Sequence, residues 1–159
     1  MNQQISKLRL IWDSSALIDA VLAPDDSPYS DLFELGEAGA VDMRIRPDVS
    51  RECEAILRPF GDEMVTLLAI ILHEADFVTT SMPSSEMVDY CENLTGYRND
   101  ARILAAAEEC RADLLVTHDK QHFLGNPLIC PPDTYCRART AGEALLWCLQ
   151  RLVADGEAG

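Results

Sequence analysis

Residues 99–119 read NDARILAAAEECRADLLVTHD. Asn99 and Asp100 stand where a helix opens, and the alanine-rich run behind them predicts that helix, with Ala105, Ala106 and Ala107 as a close-packing face. Asp113 to Thr117 (DLLVT) then predicts a short buried strand. From Asp100 to Arg111 a helix covers ~17 Å at ~1.5 Å per residue. From Asp113 to His118 a strand covers ~17 Å at ~3.3 Å per residue. The two lengths cancel, so Asp119 returns level with Asp100.

Upstream, Leu8 to Trp12 (LRLIW) predicts a buried strand that ends at Asp13. Ser14 opens SSALIDAVLA, a helix stopped by Pro24, and a Pro/Asp/Ser loop fills Ala23 to Ser30. Asp31 to Glu37 predicts a short helix and Val41 to Ile45 a second strand. After Pro47 comes the helix VSRECEAIL. Gly61 to Ala75 is helical by its period, Phe77 to Thr79 a short strand, and Ser84 to Leu94 a further helix. Downstream, HDKQHF is a polar loop and Leu128 to Cys130 a last strand. Thr140 caps an amphipathic helix through Val153, with Leu145, Leu146, Leu149 and Leu152 on one face. The expected architecture is a single domain over 1–153 with a frayed tail over 154–159. It is a three-layer α/β/α fold on a central parallel sheet of four or five strands. Such sheets place ligands beyond the strands' C-terminal ends.

Composition narrows the function. The formal net charge is −14, with 13 Lys and Arg against 27 Asp and Glu. That excludes a general nucleic-acid coat protein and favours basic partners. With 48% hydrophobic residues the chain can build a core without disulfides. The six cysteines form no C-x-x-C pair and suit buried positions in a reducing compartment. No leader and no apolar run long enough to span a bilayer is present, so a cytoplasmic location is expected.

Asp13 follows the first strand and so lies on the edge that carries Asp100 and Asp119. Glu52 joins them if its helix crosses the strand ends. Glu54 competes for that place, and Glu52 is preferred because it shares a face with Ile56, expected to point to the core. Singly, each acid has a plain role. Asp13 and Asp100 can be helix N-caps, Asp119 a turn residue and Glu52 a solvated one. Together they repel unless a proton or a cation intervenes. Mg²⁺ or Mn²⁺ takes such oxygen ligands, lowers the pKa of water and stabilises charge on a phosphodiester. Ser14 and Thr117 can orient the carboxylates by hydrogen bonds. Arg98, Arg102 and Lys120, with Arg44 and Arg46, can hold phosphates or be solvated surface charge. His118 and His122 flank Asp119 in the polar loop, where contact with phosphate or solvent is expected over ligation.

WDSSALIDA, VSRECEAIL and NDARILAAAEECRADLLVTHDKQHF, in that order, resemble the PIN-domain family from Leu8 to about Cys136. The resemblance implies Asp13, Glu52, Asp100 and Asp119 as metal ligands and Thr117 as a supporting hydroxyl. It implies an Mg²⁺- or Mn²⁺-dependent ribonuclease, with RNA as substrate. Small bacterial members are often toxins held by an antitoxin protein, and a homodimer is implied as well. The family often carries one more acid shortly after the last Asp; here Gln121 and His122 stand there. Two other readings compete. One is a catalytically silent binding or regulatory module. The other is a phosphatase of another α/β fold, disfavoured because Ser15 stands where a second Asp is needed.

Overall fold

Leu8–Trp12 forms strand β1, and Leu10, Ile11 and Trp12 are wholly buried. A strand with no exposed face must be central, and β1 has parallel neighbours on both sides. The computed structural model describes residues 7–127, 129 and 138–158. Within them β2 (Val41–Ile45), β3 (Val78–Thr79), β4 (Leu114–Val116) and β5 (Ala138–Arg139) complete a five-stranded parallel sheet in the order β3-β2-β1-β4-β5.

Alternation along β1 divides the core in two. Leu10 and Trp12 join Met43, Ile45 and Val116 on one face. Helices α1 (Ser14–Leu22), α2 (Pro28–Glu37), α3 (Val49–Leu57) and α4 (Asp62–Glu74) cover it, with the end helix α7 (Ala141–Ala158). Trp12 packs on Phe33 and Phe77 at centroid distances of 5.3 and 5.8 Å. Ile11 and Leu115 face the other way, under α6 (Arg98–Glu109), which α5 (Ser85–Thr95) supports. Ala101, Ala105 and Ala106 are buried there, and their small side chains let α6 sit close to the sheet. The result is the expected α/β/α sandwich.

Several boundaries differ from expectation. Helix α2 starts at Pro28 rather than Asp31, because proline is well suited to a helix's first turn. Helix α6 starts at Arg98 with Tyr97 as its N-cap, so Asp100 lies inside the first turn and is not the cap. Lys120–Leu124 is a π-helical turn where a loop was expected. Leu128 and Cys130, the ends of the expected last strand, lie outside the described residues; β5 is Ala138–Arg139. Thr140 does cap α7, its hydroxyl accepting from the Glu143 N–H at 3.3 Å. That helix continues through Ala158, past the tail expected from 154 onward. Its packed face is Ala141, Ala144 and Cys148 with Leu145 and Trp147, while Leu146, Leu149 and Val153 are exposed. Small residues at 144 and 148 bring the helix down on that side and turn the larger leucines outward.

Candidate metal centre

All five strands point the same way, so their C-terminal ends share one edge. Asp13 lies there, its N–H donating to the Val116 carbonyl across β1 and β4 at 3.0 Å. It occupies the N-cap position of α1, yet its side chain makes no capping hydrogen bond. Instead Oδ2 accepts from the hydroxyls of Ser15, at 2.8 Å, and Thr117, at 3.0 Å. Thr117 is wholly buried, and its oxygen also accepts from the Asp119 N–H at 3.1 Å. One buried hydroxyl thus ties Asp13 to the backbone of Asp119. The Ser15 oxygen accepts from the His118 N–H at 3.2 Å. Ser15 therefore holds the position expected of Ser14, whose carbonyl takes the Cys53 thiol at 3.8 Å.

Asp119 caps the π-helical turn through Oδ1, which accepts from the His122 N–H at 2.9 Å. Its Oδ2 faces the His122 ring, 2.8 Å from Nδ1. The same nitrogen is 3.2 Å from Asp100 Oδ2. One ligand atom each from Asp100, Asp119 and His122 lies within 4.8 Å of the others. Path lengths alone anticipated the meeting of Asp100 with Asp119. The histidine was discounted because its segment read as a loop; the helical turn brings its ring back over the capping residue.

The electrostatics separate this arrangement from simple helix capping. A carboxylate serving a helix N-terminus is held below its usual range. The Asp100 carboxyl is instead pushed up, by burial first, with the His122 charge opposing and the Asp119 and Asp13 charges adding to the rise. His122 holds its proton above the usual imidazole range, through its hydrogen bond to Asp119 and the charges of Asp100 and Asp119. The crowded acids thus favour the protonated ring. The carboxylate oxygens are the donors a hard divalent cation takes, and the imidazole nitrogen adds a softer one.

Glu52 stands apart from this group. It lies in the first turn of α3, half exposed, with Oε1 3.6 Å from Arg46 Nη2. The argument from Ile56 fails, since Ile56 is 49% exposed and the buried positions of α3 are Val49, Cys53 and Leu57. Glu54 pairs with Arg58 further along the helix, at 3.9 Å. Arg46, directly after β2 and 4% exposed, has its closer partner in Asp48, at 2.5 Å.

The expected phosphate-holding arginines are mostly engaged. Arg98 pairs with Asp89 and Glu92, each at 2.8 Å. Arg44 and Arg9 both pair with Asp42. Burial alone would raise the Asp42 carboxyl, but these two partners hold it below the usual range. Arg102 and Lys120 are exposed. His118 turns away from the acids to hydrogen-bond the Tyr29 hydroxyl, which donates to Asp19 at 2.6 Å.

Two substitutions test this geometry. Thr117→Val keeps the shape and removes the hydroxyl that serves both acids, so Mn²⁺ affinity should fall ~10–100-fold. An unchanged affinity in a calorimetric titration would mean that the bridge is idle. Gly125 ends the π-helical turn with its N–H on the Lys120 carbonyl, and a Cβ there would meet that oxygen at 2.5 Å. Gly125→Ala should therefore displace His122 and Asp119 and weaken Mn²⁺ binding without unfolding the sheet. Far-ultraviolet circular dichroism beside the same titration checks both parts.

The family model described as PIN domain matches residues 9–121. The crystal structure of PAE2754 from Pyrobaculum aerophilum superposes with a TM-score of 0.63 at 17% identity, covering 90% of this chain and 96% of that one. It shows the same fold. No curated protein sequence matches the chain.

Proposed function

The chain belongs to the PIN-domain family, whose members are generally nucleases, and on that premise we propose a divalent-metal-dependent endoribonuclease. The observation that carries the reading is the convergence of Asp100, Asp119 and His122 within 4.8 Å, with Asp13 joined through Thr117. In this reading Asp13, Glu52, Asp100 and Asp119 are the acids that hold Mg²⁺ or Mn²⁺. Such a cation, when bound, supplies a water of lowered pKa and positive charge against the phosphodiester.

The chain's own groups do the rest. Asp100 and Asp119 provide crowded negative charge that favours a cation over solvent. Ser15 and Thr117 converge on Oδ2 of Asp13 and leave Oδ1 for the cation. Glu52, 3.6 Å from Arg46, joins the same centre by turning from that long contact towards the other acids. Arg102 and Lys120, exposed and, unlike Arg98, in none of the ion pairs among the described residues, are cations available to flanking phosphates.

We further assign the chain to the toxin half of a toxin–antitoxin pair. The net charge of −14 suits a basic protein partner. A groove of about 320 Å³ between α1, α2 and α4 fits one of its segments: it is apolar at Val21, Phe33 and Ile71 and edged by Glu34, Glu37 and Glu74. The exposed Leu146, Leu149 and Val153 of α7 suit contact between two copies, a homodimer. Among the described residues no helix is long and apolar enough to cross a membrane.

A second reading has its own observation. With Arg9, Arg44, Arg46 and Arg98 tied to carboxylates, few cations are left to grip RNA, as a silent binding module would show. Incubation of an RNA pool with Mn²⁺ separates the two. Cleavage that EDTA stops supports the nuclease. An intact pool beside weak Mn²⁺ binding favours the silent module.

A further inference from the structure

We propose that Tyr97 is a stacking platform for a nucleobase adjacent to the scissile phosphodiester, an inference that rests on the nuclease reading of the carboxylate centre. Its ring packs on His122 with centroids 4.4 Å apart and planes at 66°. His122 in turn contacts Asp100 and Asp119. Tyr97 therefore stands one side chain away from the acids. The residue is 53% exposed even so.

The backbone beneath that ring is held fast. Gly96 takes φ = +78° at the end of α5, a conformation natural to glycine, and turns the chain sharply into α6. The Thr95 hydroxyl, 7% exposed, donates to the Tyr97 carbonyl at 2.9 Å and accepts from its N–H at 3.3 Å. Both backbone polar groups of Tyr97 thus bond one buried side chain, and its carbonyl also accepts from the Ala101 N–H at 2.9 Å. An exposed aromatic on so fixed a backbone is presented for contact at little cost in conformational entropy.

Charge explains why such a contact is needed. A protein of net charge −14 gains little from phosphate attraction, and Arg46 and Arg98 are already paired. Stacking depends on the π-face that every base has and not on phosphate charge. The ligand class is then a single-stranded RNA segment, with one base on Tyr97 and the neighbouring phosphate at the acids.

The test compares Tyr97→Ala, Tyr97→Phe and Tyr97→Trp with wild type, in Mn²⁺, on one cleaved oligoribonucleotide. Loss of a stacked base corresponds to about 5- to 150-fold in affinity. The alanine variant should raise KM by that factor with kcat and Mn²⁺ affinity unchanged, and the aromatic variants should restore KM. A substrate abasic beside the cleaved bond should cost wild type the same factor and the alanine variant nothing. An unchanged KM would overturn the proposal. So would a fall in Mn²⁺ affinity and kcat at constant KM, which would make Tyr97 a brace for His122. If wild type cleaves no RNA, the nuclease reading fails, and binding of oligouridine and its abasic counterpart in Ca²⁺ decides the platform separately. Tighter binding of the base-bearing strand, lost in Tyr97→Ala, sustains it; equal binding overturns it.

Discussion

Asparagine in place of Asp100 should abolish metal-dependent cleavage and, in EDTA, raise the melting temperature. The substitution keeps the shape of the side chain and removes its charge. Loss of an outer hydrogen-bonding partner typically lowers metal affinity or activity ~10–100-fold, and loss of an acid at the centre should exceed that. The stability effect follows from the direction of the Asp100 shift, which is upward through burial and the charges of Asp119 and Asp13. A carboxyl raised on folding lends stability in full below its unfolded pKa. That stability is lost as pH rises through the folded value. Above that folded value the metal-free wild type carries a crowded, ionised Asp100, which asparagine relieves. The stability advantage of Asp100→Asn should vanish in acid, below the ordinary carboxylate range, and open as pH rises through the raised pKa. Thermal melts across that range check the sign. A variant less stable than wild type at every pH would mean that Asp100 is a structural partner rather than a held charge.

Asp119 has two tasks, and two substitutions divide them. Oδ1 caps the π-helical turn, and Oδ2 faces the His122 ring. Asp119→Asn keeps an acceptor for the His122 N–H and should preserve the turn. Asp119→Ala loses it, and removal of a helix cap costs ~0.5–2 kcal/mol. Both should reduce Mn²⁺ affinity more than ~100-fold, beyond the range for outer partners. In both, the His122 proton should be released at a lower pH than in wild type, because its hydrogen-bonded anion is gone. Proton NMR of the imidazole follows that directly. An unmoved His122 titration would show that the ring draws its support elsewhere.

How far the chain itself foretold this arrangement depends on the kind of signal. Strands β1 and β2 are legible because unbroken or alternating apolar residues end at polar ones. The nearness of Asp100 and Asp119 is legible because a helix and a strand of known rise must span the same sheet. Ser15 was missed because Asp-Ser-Ser offers two hydroxyls, and only the direction of the side chain two positions into α1 distinguishes them. His122 was missed because the five residues KQHFL are too few to carry a periodicity from which to infer a π-helical turn. Its only local signal was Gly125, whose close approach to the Lys120 carbonyl ends that turn. The error over Ile56 has a general cause. On a helix as short as α3, Cys53 and Leu57 define the buried stripe as well as isoleucine would, and hydrophobicity alone does not rank them. Of the leucines on α7, Leu145 packs on the core while Leu146 and Leu149 are exposed, since Ala144 and Cys148 permit a closer approach than larger residues do.

The central claim is that crowded acids at the sheet edge form a cation site. Titration of Mn²⁺ into the metal-free protein by calorimetry, with Asp119→Asn alongside, tests it without any choice of RNA. The account predicts stoichiometric binding to wild type that is lost in the variant. Absence of binding to wild type at millimolar Mn²⁺, or equal binding to both proteins, would contradict it.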